Sequence, residues 1–431
     1  MPVAKDRVIA RRWALACAAL VGTLIGSYAP RARADVNYEL LPSLAAGATS
    51  NAQATVIGAP DYFLSMSCLG QVRQRGARET ASIGYRLSLS HYFRGNGTDT
   101  VGNELLALTS FNLTAATELH LTASGVLSRT SQVGTLGLLS PQAATSGSSL
   151  FLSTNGGEDL SWQGNRWRLS ENLGASTLIY PGSTPAPNRR NVTVLTGGVR
   201  ADYGWPIDAL SLDVRVSQFL AEAAPAGNGL PAVDELATPF GTAMLGWRHD
   251  VTQELSFELQ GGAAYYANNA GADVYAPAGR GFIAYRQRAY FATLEVGQEP
   301  SVNLLTALVS LNDQVFVRLA LPLPIDAREL VVVSGYAGAI YARTADANAN
   351  LVRAYDQETV GALLSVQFGL LPLAGSFEYN FVDQHGGPGV IVPVPDILRH
   401  VFMLHLTAAL EFGPGTPPLS EGGRLMMPQG R

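Results

Sequence analysis

The chain has 431 residues, a net charge of −5 and 47% apolar residues. Lys5 is its one lysine, and residues 1–34 hold six basic side chains against Asp6, so the remainder carries a net −10. That acidic balance argues against a general nucleic-acid binder, which needs cations for phosphate contacts. With Cys17 in the leader, Cys68 stands alone, which excludes an internal disulfide and a four-cysteine zinc site.

The chain starts with the basic stretch MPVAKDRVIARR, followed by the apolar run WALACAALVGTLIG; Ala32-Arg33-Ala34 fits a small-x-small cleavage pattern. The run is shorter than the ~20 residues of a spanning helix. A cleaved signal peptide over 1–34 is expected, and with it export.

From residue 35 onward apolar and polar side chains alternate over long runs, the mark of a strand with one apolar face. Strands are expected at 36–46, 61–74, 80–93, 104–113, 118–130, 150–162, 166–180, 190–204, 209–221, 240–249, 254–267, 279–287, 289–299, 313–321, 328–343, 356–369, 374–383 and 400–412. In the third, Ile83, Tyr85, Leu87 and Leu89 oppose Ser82, Arg86, Ser88 and Ser90. In the ninth, Leu210, Leu212, Val214 and Val216 oppose Ser211, Asp213, Arg215 and Ser217. Such runs exceed the ~5–6 residues of soluble strands and suit the ~9–11 of a tilted strand crossing a bilayer. Short turns at 114–117, 163–165, 206–208 and 250–253 alternate with long loops at 130–149, 221–239 and 381–399, the hairpin asymmetry of membrane barrels. The expected fold is all-β: a transmembrane up-and-down antiparallel β-barrel of about 18 strands, within a range of about 16–20. It occupies 35–412, with both ends on the short-turn side. The Gly- and Pro-rich stretch 413–431 reads as a disordered periplasmic tail.

The polar parity names a candidate pore lining. Early and middle strands supply Arg73, Arg86, Arg166, Arg168, Arg200, Asp202, Asp213, Arg215 and Arg248. Later strands supply Glu254, Glu258, Glu295, Glu299, Arg318, Glu378 and Glu411. Because strands follow one another around such a barrel, one sector of the wall is expected to be basic and another acidic. Such a field would orient solutes and set ion preference; pairing between neighbouring strands is the plainer reading of any single charge. Glu171 breaks the apolar parity of its strand, and a bulge is the device that could account for it. Tyr62, Tyr92, Phe93, Trp162, Trp167, Tyr180, Tyr203, Trp205, Tyr265, Tyr266 and Phe412 cluster near strand ends and suggest interfacial girdles. Residues 300–312, PSVNLLTALVSLN, are oddly apolar for a loop; they are expected to extend outward as a hairpin rather than fold into the lumen.

In the closing strand Phe402, Leu404, Leu406, Ala408, Leu410 and Phe412 share one parity. Together with the leader and the long amphipathic strands, this resembles Gram-negative outer-membrane β-barrel proteins. The resemblance implies that Phe402, Leu410 and Phe412 form a signal read by the barrel-assembly machinery. The 19 residues after Phe412 depart from family members that end on the aromatic residue. About eighteen strands resembles the sugar-specific and polysaccharide-export porins in particular.

Catalytic motifs are absent: there is no G-x-S-x-G, P-loop or H-E-x-x-H, and the histidines are scattered over separate strands and loops. Asp99 and Glu104 lack EF-hand spacing. No enzyme activity, cofactor or metal is expected. The leading expectation is a porin-like channel in outer-membrane lipid for small polar or charged solutes. The alternatives are an exit port for a secreted polysaccharide, a blocked barrel whose loops carry binding or catalysis, and a soluble all-β protein, against which the strand lengths argue.

Overall fold

In the computed structural model the described residues are 35–412 except 52–57, 97–98, 132–147, 182–189, 227–231, 268–272, 288–289, 305–306, 324–330, 346–349, 369–372, 389–393 and 395. The leader and the tail after Phe412 lie outside them.

The strands are β1 (Asp35–Thr49), β2 (Asp61–Arg75), β3 (Glu79–Tyr92), β4 (Thr100–Asn112), β5 (Thr117–Ser131), β6 (Ser148–Gln163), β7 (Trp167–Ile179), β8 (Val192–Gly204), β9 (Asp208–Ala221) and β10 (Leu236–Asp250). They continue as β11 (Leu255–Ala267), β12 (Asp273–Gln287), β13 (Tyr290–Asn303), β14 (Leu308–Pro322), β15 (Val331–Ala345), β16 (Leu351–Phe368), β17 (Leu373–Gly386), β18 (Ile397–Ala408) and β19 (Leu410–Phe412). Consecutive strands from β1 to β18 pair antiparallel, and β1 pairs in addition with β18 (Ser43↔Thr407) and β19 (Tyr38↔Phe412). β18 and β19 continue one register along β1, so the 19 strands make a closed wall of 18 positions. Closure pairs each strand on both sides, as a bilayer demands because it offers backbone groups no other partner; at the long-loop end β13 leaves the wall, and its pairing with β12 reaches only Gly279↔Gln298, short of residues 273–278 of β12.

Five connections on one side are two-residue hairpin loops. Each is closed by an amide-to-carbonyl bond: Gly76 to Glu79, Thr114 to Thr117, Gly164 to Trp167, Trp205 to Asp208 and Thr252 to Leu255. The outward parity is apolar and exposed, with Leu245 at 69% and Leu404 at 62%. On a closed barrel such a continuous apolar exterior is a lipid contact. Trp162, Trp167, Tyr203, Trp205 and Trp247 mark its short-turn border. The Trp167 and Tyr203 rings lie 4.8 Å apart, as do those of Tyr203 and Trp205, and the Trp247 Nε1–H donates to Asp208 Oδ1 at 3.0 Å. Three tyrosines expected in the girdles point inward instead. Tyr92 packs on Phe63, with ring centroids 5.7 Å apart, and Tyr180 and Tyr266 are buried.

Glu171 has no bulge behind it. The β6–β7 register runs unbroken from Leu152↔Ile179 to Gln163↔Arg168, so Glu171 shares the outward face with Leu169 and Leu173. Among the described strands the register shifts where Ala342 pairs Tyr355 and Arg343 pairs Arg353, which leaves Ala354 of β16 as the extra residue.

The hairpin β13–β14 corrects a second expectation. Rather than extending outward, it folds into the lumen. Ala307, Val309 and Leu311 are buried in one cluster with the inward side chains Val192, Phe219, Met244, Tyr266 and Val274 of β8–β12. Leu304 packs against that cluster and against Phe151, Leu178 and Tyr180 of the β6–β7 wall. Leu308 joins Phe316, Ile340, Tyr355 and Val394. A single tip therefore reaches three stretches of the wall. Each leucine so buried contributes about 1.5–3 kcal/mol, enough to hold a hairpin in water-lined space. Ala307 takes a left-handed φ of 50°, which a non-glycine residue tolerates only when its surroundings fix it.

Gly262 makes the sharp wall beside this cluster possible. It faces inward opposite Met244 on β10, and a Cβ there would run into the Ala243 carbonyl. Gly262→Val is expected to destabilise the barrel by about 2–3 kcal/mol, read as a lower urea midpoint in detergent micelles.

Candidate pore and its constriction

The hairpin divides the lumen. On the β6–β12 side the inward positions near the long loops are apolar and filled by the hairpin, as described above. On the β1–β4 and β17–β18 side the inward wall carries paired polar groups from mid-strand toward the short turns, while Phe63, Val382 and Ile397 are buried near the long loops. Ser43 and Ser67 share a hydrogen bond of 2.7 Å, and the Ser90 hydroxyl donates to Ser65 Oγ at 3.0 Å. Arg73 pairs with Glu39 at 2.9 Å, Arg86 with Glu104 at 2.9 Å, and His405 with Glu378 at 3.2 Å. Asn380 Nδ2 donates to the other oxygen of Glu378 at 2.6 Å.

Below the hairpin, Arg200 Nη2 donates to Glu258 Oε1 at 3.0 Å while its Nε holds Asp202 at 2.9 Å. Arg200 is on β8 and Glu258 on β11, three strand positions and so about 14 Å apart along the wall. The two side chains meet because the wall curves tightly here and both point inside it. Arg215 of β9 likewise holds Asp213 at 2.7 Å and approaches Glu299 of β13 at 4.0 Å. Arg248 pairs with Asp250 at 3.0 Å, and Arg280 with Glu295 at 2.9 Å. Arg318 is inward, and its Nε is buried with no hydrogen-bond partner.

Apart from Glu411, of which the backbone pairing is described, the candidate lining is therefore brought onto one surface, with two exceptions. Arg166 lies in the turn before β7 and donates to the Tyr203 hydroxyl at 3.3 Å, on the girdle side of the wall. Glu254 lies in the turn before β11, where its carboxylate accepts from Thr252 Oγ1 at 3.0 Å. Both are one step beyond a strand end, where parity no longer applies. Arg168 stands opposite Asp202 in register, and the backbone of Glu411 opposite that of Glu39. Two separate charged sectors do not form. Most arginines are neutralised by a carboxylate two residues away or on another strand, and two such bonds are chords between non-adjacent strands.

Sequence reasoning missed the apolar inner wall. Its signal was present: near the long loops, Val192, Val194, Phe219 and Val274 make the inward parity apolar where a solvated lumen would need polar groups. Val302, Leu304 and Leu308 on one parity and Ala307, Val309 and Leu311 on the other are likewise apolar, the pattern of a strand that packs on both faces.

No protein-family model matches the chain, and neither does any curated protein. Among solved structures it is similar to OpdO of Pseudomonas aeruginosa, at 10% identity over 88% of this chain and 98% of that one, with a TM-score of 0.45. It is similar in the same degree to OccAB4 of Acinetobacter baumannii, at 10% identity, 88% and 98% coverage and a TM-score of 0.45. OpdK of Pseudomonas aeruginosa, solved with vanillate, matches at 7% identity, 88% and 99% coverage and a TM-score of 0.45. At these identities and scores the likeness assigns neither solute nor mechanism.

Proposed function

We propose that the protein is an outer-membrane channel for small polar or charged solutes, with its passage running beside the β13–β14 hairpin. One observation carries this reading. The closed barrel keeps a polar, ion-paired inner wall over β1–β4 and β17–β18, while the hairpin fills the apolar side against β6–β12. A wall of hydroxyls and paired charges offers hydrogen bonds in both directions without a large net field, which suits small hydrated solutes. Arg73, Arg86, Arg200, Arg215, Glu258 and Glu378 are the residues we assign to contact with solute. A polysaccharide exit port fits less well, since a bulky chain would have to displace a hairpin anchored at Leu304, Leu308 and Leu311. We further propose that β18–β19, with Phe402, Leu410 and Phe412, closes the barrel during assembly against β1.

The test is single-channel recording of the mature protein in a planar bilayer. Discrete, steady openings are expected, of low conductance for a barrel of this circumference. A folded barrel with no openings at any voltage overturns the channel and leaves a blocked scaffold.

A further inference from the structure

β12 and β13 pair regularly from Gln287↔Tyr290 to Gly279↔Gln298. There the pairing ends, although β12 reaches back to Asp273 and β13 runs on to Asn303. The side chains show where β13 goes. Leu294 and Val296 are exposed on the outward face of the wall. Val302 continues their parity, yet it packs against the buried cluster that holds Val274, Ala276 and Ala278 from the inner face of β12. β13 has therefore passed behind β12, while Tyr275 stays outside at 75% exposure. Among the described residues no other strand takes the edge that β13 leaves.

The sequence marks the point of separation. Continued by one step from Gly279↔Gln298, the register would set Ala278 against Glu299; the step after that would set Pro277 against Pro300. In an antiparallel ladder the main-chain groups of successive residues point to alternate sides. The Arg286 amide donates to the Glu254 carbonyl on the β11 side, and the β11–β12 register is unbroken from Leu255↔Tyr285 to Ala267↔Asp273. Even-numbered residues of β12 thus turn their amides to β11, and odd-numbered ones to β13. Gly279↔Gln298 is then a pair that exchanges hydrogen bonds, and Pro277↔Pro300 would be the next such pair. Both of its donors are missing, since proline has no N–H. A single proline removes one ladder bond; two that face each other remove the whole exchange and leave two carbonyls opposed. Pro277 also sits where sheets tolerate proline, on an edge.

We propose that Pro277 and Pro300 together stop the β12–β13 ladder and so commit the hairpin to the lumen. With an amide at both positions the ladder could run on to Tyr275↔Val302 and hold β13 in the wall, with the Val302 side chain outward beside Tyr275. The prolines deny that arrangement its first exchange of hydrogen bonds, and a bilayer offers the opposed carbonyls no other donor. The two devices divide the task. Leu304, Leu308 and Leu311 hold the hairpin once it is inside, and the prolines act against the arrangement it would otherwise adopt. Were the apolar anchors sufficient alone, the prolines would merely be tolerated on edges already parted.

The experiment is thiol cross-linking of the mature barrel carrying Tyr275→Cys and Val302→Cys, with Cys68→Ser to remove the native thiol. The two positions lie outside and inside the wall, and would be neighbours on one face in the continued ladder. A short bifunctional thiol reagent therefore joins them only if the strands zip. Three proteins are compared: one otherwise unchanged, one with Leu304→Asn/Leu308→Asn to release the hairpin, and one with those changes plus Pro277→Val/Pro300→Val. Ile283→Cys with Leu294→Cys, an existing outward pair, is the control that links in all three. Heat-shifted migration on gels confirms that each is folded. Links at 275 and 302 are expected to stay at background in the first two proteins and to rise at least about fivefold in the third, where the ladder regains its donors. Equal linking in the second and third overturns the proposal, because released strands would then zip through their prolines. So does a third protein that folds and links at 283 and 294 but not at 275 and 302. The link is read as a gel band, so it holds whether or not the barrel conducts. Single-channel recording of the linked third protein tests the channel separately: an unchanged conductance would leave the role of the prolines in place and overturn the hairpin as the constriction.

Discussion

Replacing residues 302–309 with an Asn-Gly turn between Ser301 and Ser310 is expected to raise single-channel conductance roughly three- to tenfold. The two serines are a cross-strand pair, so a two-residue turn can join them without altering the register of the wall below. The deletion removes Leu304, Ala307 and Leu308, the side chains through which one tip touches three stretches of wall. Conductance follows the narrowest section, and an apolar constriction also excludes water, so its removal acts on both width and wetting. The variant pays with newly exposed Phe219, Tyr266 and Val274, and a lower thermal midpoint is expected beside the larger conductance. Leu304→Asn with Leu308→Asn is the milder form: it keeps the hairpin but removes its apolar anchors, and should give flickering between a small and a large level. If neither variant changes the conductance, the hairpin is not the constriction and the passage must be limited elsewhere in the lumen.

Why the hairpin was misplaced from sequence, while the barrel was not, is a matter of range. Alternation is a local property. Each of the eighteen expected strands is present, because a two-residue period with one lipid-facing parity determines both the strand and its orientation. Departures are largest at the long-loop ends. β12 starts at Asp273 rather than 279, β14 at Leu308 rather than 313 and β16 at Leu351 rather than 356. There the alternation fades, because inward side chains such as Val274, Val309 and Tyr355 pack against protein instead of facing water. Parity also places Arg200 and Glu258 inside, but not against each other. Their contact depends on wall curvature, to which glycines such as Gly262 contribute and which pairwise register does not encode. The outward carboxylate Glu171 was legible as an anomaly, and Glu158 could have been, since it alternates with Leu160 and Trp162.

The chord between β8 and β11 sets up the sharpest electrostatic test. In the wild type Arg200 is shared between Asp202 and Glu258, and Arg248 stands opposite Glu258 in register. Glu258→Gln keeps the shape of the side chain and removes one negative charge beneath the hairpin. Arg200 then has one carboxylate for its guanidinium, and the chord loosens. The cation-to-anion permeability ratio, read from the reversal potential in a KCl gradient, is expected to fall roughly threefold. The shift should shrink at 1 M salt, where the Debye length is only about 3 Å. Arg200→Glu should move selectivity the other way. Arg166→Glu is the control, because Arg166 sits in a turn against Tyr203 on the girdle side and has no place on the lumen wall. If Arg166→Glu shifts selectivity as far as Arg200→Glu, the field is a property of total charge, and the chord has no special position in the conduction path. If only Arg200 and Glu258 respond, ions pass within a few Debye lengths of that chord. That would fix the passage to the space between it and the polar wall of β1–β4, beside a hairpin that closes the apolar side.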